Sequence, residues 1–92
     1  MNQQERIAAV RSMHKPEHQA DQMVYEVWED GEVTLTKGGE LYGMRGLHCI
    51  SMGCSDGALP ADSLVVKNSQ HSRIVVGSKE EADAAAKIIL MH

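Results

Sequence analysis

Apolar residues recur at helical spacing near both ends of the chain. Ile7, Val10 and Met13 share one face of a predicted helix over residues 2–14, which the proline at position 16 ends because a residue before proline avoids helical geometry. Residues 16–23 predict a second short helix with that proline in its first turn. Near the other end, Ser78 and Glu81 have the spacing of a capping box, and a helix follows whose inner face carries Ala82, Ala85, Ala86 and Ile89.

In the middle of the chain, apolar and polar residues alternate as they do in β-strands. The dipeptide Asp-Gly at 30–31 predicts a hairpin over residues 23–37, with Trp28 paired with Val33. A two-residue loop sets Glu29 opposite Glu32, where like charges repel each other. We therefore favour a four-residue loop with the same Trp28–Val33 pair, or a bulged loop.

Three further strands are predicted. Residues 46–53 form the first of them, and residues 62–68 and 72–78 form a second hairpin. The last two strands contain the continuous apolar triplets 64–66 and 74–76, which is typical of strands covered on both faces.

This order of elements predicts an α+β fold. Residues 1–92 form one small domain, with a mostly antiparallel sheet of four to five strands and with an N-terminal and a C-terminal helix packed on it. The chain has no Phe, one Trp, two Tyr and six Met, so Ile, Val, Leu, Ala and Met must supply the core. Methionine specifies packing poorly, which fits a modestly stable monomer or a chain that completes its core or surface on a partner.

Charge is distributed unevenly along the chain. The net charge is −4, and the first 32 residues account for all of it, whereas residues 33–78 have a small positive excess. A protein that binds DNA by itself normally has a stronger basic excess, so we expect no autonomous DNA binding. We find no apolar signal core at the N-terminus and no run long enough to span a membrane, and we expect a protein of the reducing host cytoplasm.

Glycines are concentrated at residues 38–46. Their spacing matches neither a dinucleotide fingerprint nor a P-loop. We interpret them as residues that permit positive φ where the chain leaves the second strand. The loop still offers a contact surface, because it contains Tyr42 and Arg45.

Histidines and cysteines raise the question of metal or catalysis. His48, Cys49, Cys54 and His71 are the candidates, but the cysteines have four residues between them and no second ligand pair follows at a suitable spacing. No local signature of a nucleophile surrounds either cysteine. We therefore predict no metal, no cofactor and no enzymatic activity.

The predicted hairpin ends in the acidic heptapeptide EVWEDGE. Glu29, Asp30 and Glu32 lie at its tip. A solvated tip that discourages edge-to-edge pairing is the favoured interpretation. The alternative is a phosphate-like cluster that binds a basic groove.

A small acidic α+β chain without a catalytic signature is typical of an interaction module. In size, composition and the character of residues 24–46, VYEVWEDGEVTLTKGGELYGMRG, the chain resembles phage-encoded anti-CRISPR proteins directed at the type I-F surveillance complex. The resemblance implies a stoichiometric inhibitor that binds the guide-RNA-loaded complex, through its proteins and its RNA, and stops target DNA from pairing. The alternative is a small accessory or regulatory domain of a phage or mobile element that binds another host protein.

The contact residues are inferred from charge, since the resemblance supplies none. The segment with a positive excess contains Lys37, Arg45 and Arg73, which we expect to bind guide-RNA phosphates, with Tyr42 stacking on an exposed base. The alternative binding residues are the three carboxylates of the hairpin tip.

Overall fold

The structure is a computed structural model, and it describes residues 1–40, 59–68 and 71–91. Its helices and strands are α1 (Gln3–Met13), β1 (Met23–Trp28), β2 (Val33–Lys37), β3 (Val66–Asn68), β4 (His71–Val76) and α2 (Lys79–Ile89). Short 3-10 turns occupy Gly38–Glu40 and Ala61–Ser63.

The strands form an antiparallel sheet in the order β2-β1-β4-β3. With one helix near each end of the chain, this confirms the predicted α+β class. The predicted strand over residues 46–53 lies outside the described residues, so the strand count of the whole chain stays a prediction.

Both helices pack on one face of the sheet. Val27, Ile74 and Val76 point from β1 and β4 toward the helices, because residues two apart in a strand share a face. They meet a cluster of fully buried helix residues, namely Val10, Ala82, Ala85 and Ile89. The helical spacing read from the sequence therefore predicted the inner faces of α1 and α2 correctly.

The first hairpin has a different register from the predicted one. Val27, not Trp28, pairs with Val33. The Gly31 amide donates to the Trp28 carbonyl at 2.8 Å, and Gly31 has a φ of 84°. This is the three-residue bulged loop, in which a left-handed glycine takes up the extra residue. A shift of one residue exchanges the two faces of a strand, so the loop decides which side chains of β2 share a face with those of β1.

We expect Gly31→Ala to destabilise the fold by about 1–3 kcal/mol, because alanine is strained at this positive φ. An added Cβ would also collide with the side chain of Leu90. Urea unfolding measures the change. Gly77→Ala is the matched control, since a Cβ there has no neighbour within 4 Å, and it should change stability by less than about 0.5 kcal/mol.

The predicted helix over residues 16–23 is wrong. This part of the chain runs without regular structure to a turn near position 20, and β1 begins at residue 23. The Lys15 amide donates to the Val75 carbonyl at 2.8 Å, so the chain follows the side of β4 that β3 leaves uncovered. A hydrogen bond to a strand far away in sequence replaces the local helix.

The second hairpin forms, but its first strand is shorter than predicted. Pairing of Val66 with Arg73 and of Asn68 with His71 confirms the hairpin. Residues 61–63 form a 3-10 turn instead of strand, following Pro60. The triplet 74–76 is buried as predicted, whereas Val65 in the triplet 64–66 is exposed.

Close packing against the chain before β1 leaves no room for a side chain at Gly38. An added Cβ would collide with the backbone carbonyl of Gln19. The Gly38 amide donates to the Gln22 carbonyl at 2.8 Å. Among the described glycines only Gly31 has positive φ. The glycines that begin the 38–46 segment thus have a structural role, but for a reason other than the predicted one.

Candidate functional site

The sheet face opposite the helices carries a polar cluster made of Glu26, Trp28, Thr34 and Arg73. Glu26 and Trp28 lie on this face because side chains alternate along a strand and Val27 between them points to the helices. Thr34 on β2 lies directly opposite Glu26, and Arg73 on β4 lies directly opposite Trp28. Directly opposed residues in a sheet have side chains in contact range.

The four side chains of the polar cluster bind one another. Arg73 Nε lies 2.6 Å from Glu26 Oε2, and the guanidinium carbon lies 5.3 Å from the centre of the Trp28 ring. Trp28 Nε1 donates to Thr34 Oγ1 at 2.9 Å, and Thr34 Oγ1 donates to Glu26 Oε1 at 3.3 Å. Arg73 is 0% exposed and Glu26 is 4% exposed, so the opposite charges neutralise each other inside the protein.

The expected role of Arg73 in surface binding is therefore wrong. Its guanidinium is buried in the polar cluster and cannot reach the phosphates of a partner. Lys37 is exposed at the end of β2, as that role requires. The two residues are also far apart, because Lys37 pairs with Met23 and Arg73 with Trp28 at the two ends of β1. Five residue steps along a strand span about 17 Å. Tyr42 and Arg45 lie outside the described residues.

The acidic hairpin tip is smaller than the sequence indicates. Glu29 is buried, and its Oε2 accepts a hydrogen bond from the Ser72 amide at 2.8 Å. Asp30 Oδ1 accepts from the Glu32 amide at 3.0 Å and supports the turn. Glu29 is thus a structural residue, and the surface carboxylates of the tip are the half-exposed Asp30 and the exposed Glu32.

One sequence signal for the polar cluster was available. Arg73 directly precedes an apolar triplet in a strand that is predicted to be covered on both faces. A cation in that position requires a buried partner. The identity of that partner depended on the pairing of β1 with β4, which the sequence pattern did not predict.

His14 is a functional candidate that the sequence analysis did not identify. Its Nδ1 accepts a hydrogen bond from the Val75 amide at 3.1 Å. Burial is the main cause that lowers the pKa of His14. The nearby charges of Arg73 and, to a smaller extent, His18 lower this pKa further. The imidazole is thereby held neutral, with its lone pair on Nδ1 used to bind β4.

We expect the free energy of unfolding to fall as pH drops through about 6.5, because the unfolded chain takes up the His14 proton more readily than the folded chain. His14→Asn retains an acceptor for the Val75 amide and does not titrate. Urea unfolding at pH 7.5 and 5.5 should show a smaller loss of stability in this variant than in wild type. Equal losses would contradict the prediction.

The Glu81–Lys15 ion pair titrates in a separate range. Its charged atoms lie 3.0 Å apart. The hydrogen bond from Lys15 lowers the pKa of Glu81 from its ordinary value of 4.5. A hydrogen bond from Ser78 lowers this pKa as well. Any stability that the pair contributes is lost below about pH 4.5, so it does not disturb the comparison for His14.

The described residues contain neither a candidate metal site nor a candidate membrane-spanning helix. Within residues 1–40, 59–68 and 71–91, His, Cys, Asp and Glu do not gather in groups of three or more that could hold a metal ion. His48, Cys49 and Cys54 lie outside this range, as does the side chain of His71. Neither described helix is long and apolar enough to cross a membrane.

Comparisons with protein-family models, with curated proteins and with solved structures found no match for this chain.

Proposed function

We propose that this chain is a non-enzymatic, stoichiometric inhibitor that binds a guide-RNA-loaded type I-F CRISPR surveillance complex in the host cytoplasm and blocks hybridisation of target DNA. The observation that carries the proposal is the position of Lys37. It is exposed at the end of β2, directly before the segment that contains Tyr42 and Arg45. The likeness of residues 24–46 to anti-CRISPR proteins of this group adds support.

The charged residues of the polar cluster are not placed for catalysis. A general acid or base must come within hydrogen-bond reach of its substrate. Glu26 and Arg73 are buried and paired with each other, so neither presents its charge to a small molecule. The cluster instead joins β1, β2 and β4 through side-chain contacts.

The described surface charges suit such a complex. Guide RNA in these assemblies lies in a basic protein channel and pairs with the target strand. Lys37, together with Arg45, would bind RNA phosphates, and Tyr42 would stack on a base. Asp30 and Glu32 would meet lysines and arginines of the channel. Glu32 and Lys37 are five residues apart along an extended strand, about 17 Å, so cationic and anionic contacts would fall on separate parts of the partner.

The stoichiometry of inhibition tests the proposal. Purified surveillance complex is titrated with the protein, and binding of labelled target DNA is measured. We expect complete inhibition near one equivalent of protein per binding site. Complete loss of DNA binding at a small fraction of an equivalent would indicate a catalytic inactivator. An unchanged DNA affinity at excess protein would contradict the proposal, and a pull-down from cells that lack the complex would then look for another host protein.

Salt dependence tests the contact residues. Each lost phosphate contact lowers the salt slope of binding by about one unit. We expect Lys37→Ala/Arg45→Ala to bind the complex more weakly than wild type, with a slope shallower by about two units. Lys79→Ala/Lys87→Ala removes the same charge from exposed positions of α2 and should bind as wild type does. Equal effects of both variants would show a general charge effect, and Asp30 and Glu32 would be tested next.

A further inference from the structure

The first residues after α1 cover part of the edge of β4. The Lys15 amide donates to the Val75 carbonyl at 2.8 Å, and the Val75 amide donates to His14 Nδ1 at 3.1 Å. β3 pairs with β4 from its start to Arg73, so these two bonds occupy backbone groups of β4 that β3 leaves uncovered. We call residues 14–18 the strap.

The strap ends at a turn that is held independently of β4. The Gln22 amide donates to the Gln19 carbonyl at 3.1 Å, and the Gln19 amide donates to Gln22 Oε1 at 3.2 Å. The Gly39 amide donates to the Ala20 carbonyl at 2.9 Å, so the turn also binds the chain after β2. These bonds do not involve the strap, and the turn therefore gives it a fixed end if it moves.

The bond between Val75 and His14 requires a neutral imidazole. A ring nitrogen that accepts a hydrogen bond is unprotonated, because both nitrogens of an imidazolium are donors. A proton on His14 Nδ1 would face the N–H of Val75, so the strap would lose this bond and set two donors against each other. The attachment of the strap to β4 therefore depends on the protonation state of His14.

The charged groups around His14 also oppose its protonation. Burial lowers the pKa of His14 most, and Arg73 on β4 and His18 in the strap lower it further. Glu26 on β1 lies 2.6 Å from Arg73 Nε and is the partner of that guanidinium. His14 and Glu17 line a surface cavity of about 450 Å³, so water reaches the imidazole and screens the exposed Glu17 carboxylate.

One contact between the strap and α2 persists in mild acid. Lys15 Nζ lies 3.0 Å from Glu81, which stays charged at pH 5.5 because its pKa is lowered from 4.5. The Lys15 side chain is 59% exposed, and an exposed ion pair contributes little to stability because water screens it. This ion pair therefore does not keep the strap backbone on β4.

We propose that the strap is a pH-sensitive cover of the β4 edge, which leaves β4 when His14 takes up a proton and thereby exposes the amide and carbonyl of Val75. The protonated imidazole then lies in water and away from Arg73. The turn after the strap stays in place, so the movement is local and the sheet and helices remain folded. Opening begins as the pH falls below about 6.5, the ordinary pKa of histidine, because the open strap takes up the proton more readily than the closed one. An uncovered strand edge favours pairing with other chains, so the closed strap protects the sheet at neutral pH.

Hydrogen exchange of individual backbone amides, followed by NMR on the purified chain, tests the proposal. Protection factors are corrected for the intrinsic exchange rate at each pH. Between pH 7.5 and 5.5 they should fall by about tenfold for Lys15 and Val75, because pH 5.5 lies about one unit below the ordinary pKa of histidine. The Val27 amide at the centre of the sheet is the reference for opening of the whole fold. At pH 5.5 Lys15 and Val75 should be less protected than Val27 by about tenfold or more.

His14→Asn is the matched control, because it keeps an acceptor for the Val75 amide and does not titrate. Its Lys15 amide should have the same protection at both pH values to within about twofold. Equal losses in wild type and in this variant would overturn the proposal. So would Lys15 and Val75 amides as well protected as Val27 in wild type at pH 5.5, since they would then exchange only when the whole fold opens. The comparison with Val27 uses wild type alone, so it decides the proposal even if the strap of the variant is already open at pH 7.5.

Discussion

Arg73→Met should destabilise the fold by about 3–5 kcal/mol, the range expected when one partner of a buried ion pair is removed. The loss follows from the position of Glu26, which is 4% exposed and has Arg73 Nε 2.6 Å from its carboxylate. Without that cation, a buried carboxylate must lose its charge or the strands must separate. Urea unfolding at pH 7 measures the change.

A double variant separates the charge from the packing. Glu26→Gln/Arg73→Met removes both charges while keeping similar volumes, so it should be more stable than Arg73→Met alone by about 1–3 kcal/mol. If Arg73→Met unfolds at the same urea concentration as wild type, the guanidinium is not buried in the polar cluster. In that case Arg73 would again be a candidate for surface binding.

Ala85→Asp should destabilise the fold by about 4 kcal/mol or more, enough to unfold a small domain of ordinary stability. Ala85 is fully buried where α2 packs on the sheet, together with Ala82 and Ile89. An aspartate there places a charge among apolar side chains without a partner. Circular dichroism during heating measures the loss.

The matched control is the adjacent residue. Ala84→Asp introduces the same side chain one position earlier on α2, where the helix is exposed. It has the same helix propensity cost and should change stability by less than about 1 kcal/mol. Similar losses in the two variants would mean that α2 is not packed through Ala85.

The elements that depend on local spacing were predictable from the sequence. Val10 and Ala85 recur in phase with other apolar residues of their helices, and α1 and α2 bury those faces. The Asp30-Gly31 dipeptide predicted the first hairpin, because few residues other than glycine accept the left-handed conformation that Gly31 adopts. The exposure of Lys37 also agreed with its position at the end of a strand.

What remained depended on contacts between segments far apart in sequence. The bulged loop set the pairing of β1 with β2 one residue from the predicted one. The pairing of β1 with β4, which the sequence pattern did not predict, placed Glu26 on the same face as Arg73. The backbone of β4 binds the Glu29 side chain, so Glu29 is not part of a charged tip. It also binds the chain after α1, where a second helix was predicted. The sequence by itself therefore determined α1, α2 and the first hairpin, since spacing and turn residues act over a few positions. Only the tertiary structure decided which charges are buried, because that depends on which strands become neighbours and in which register.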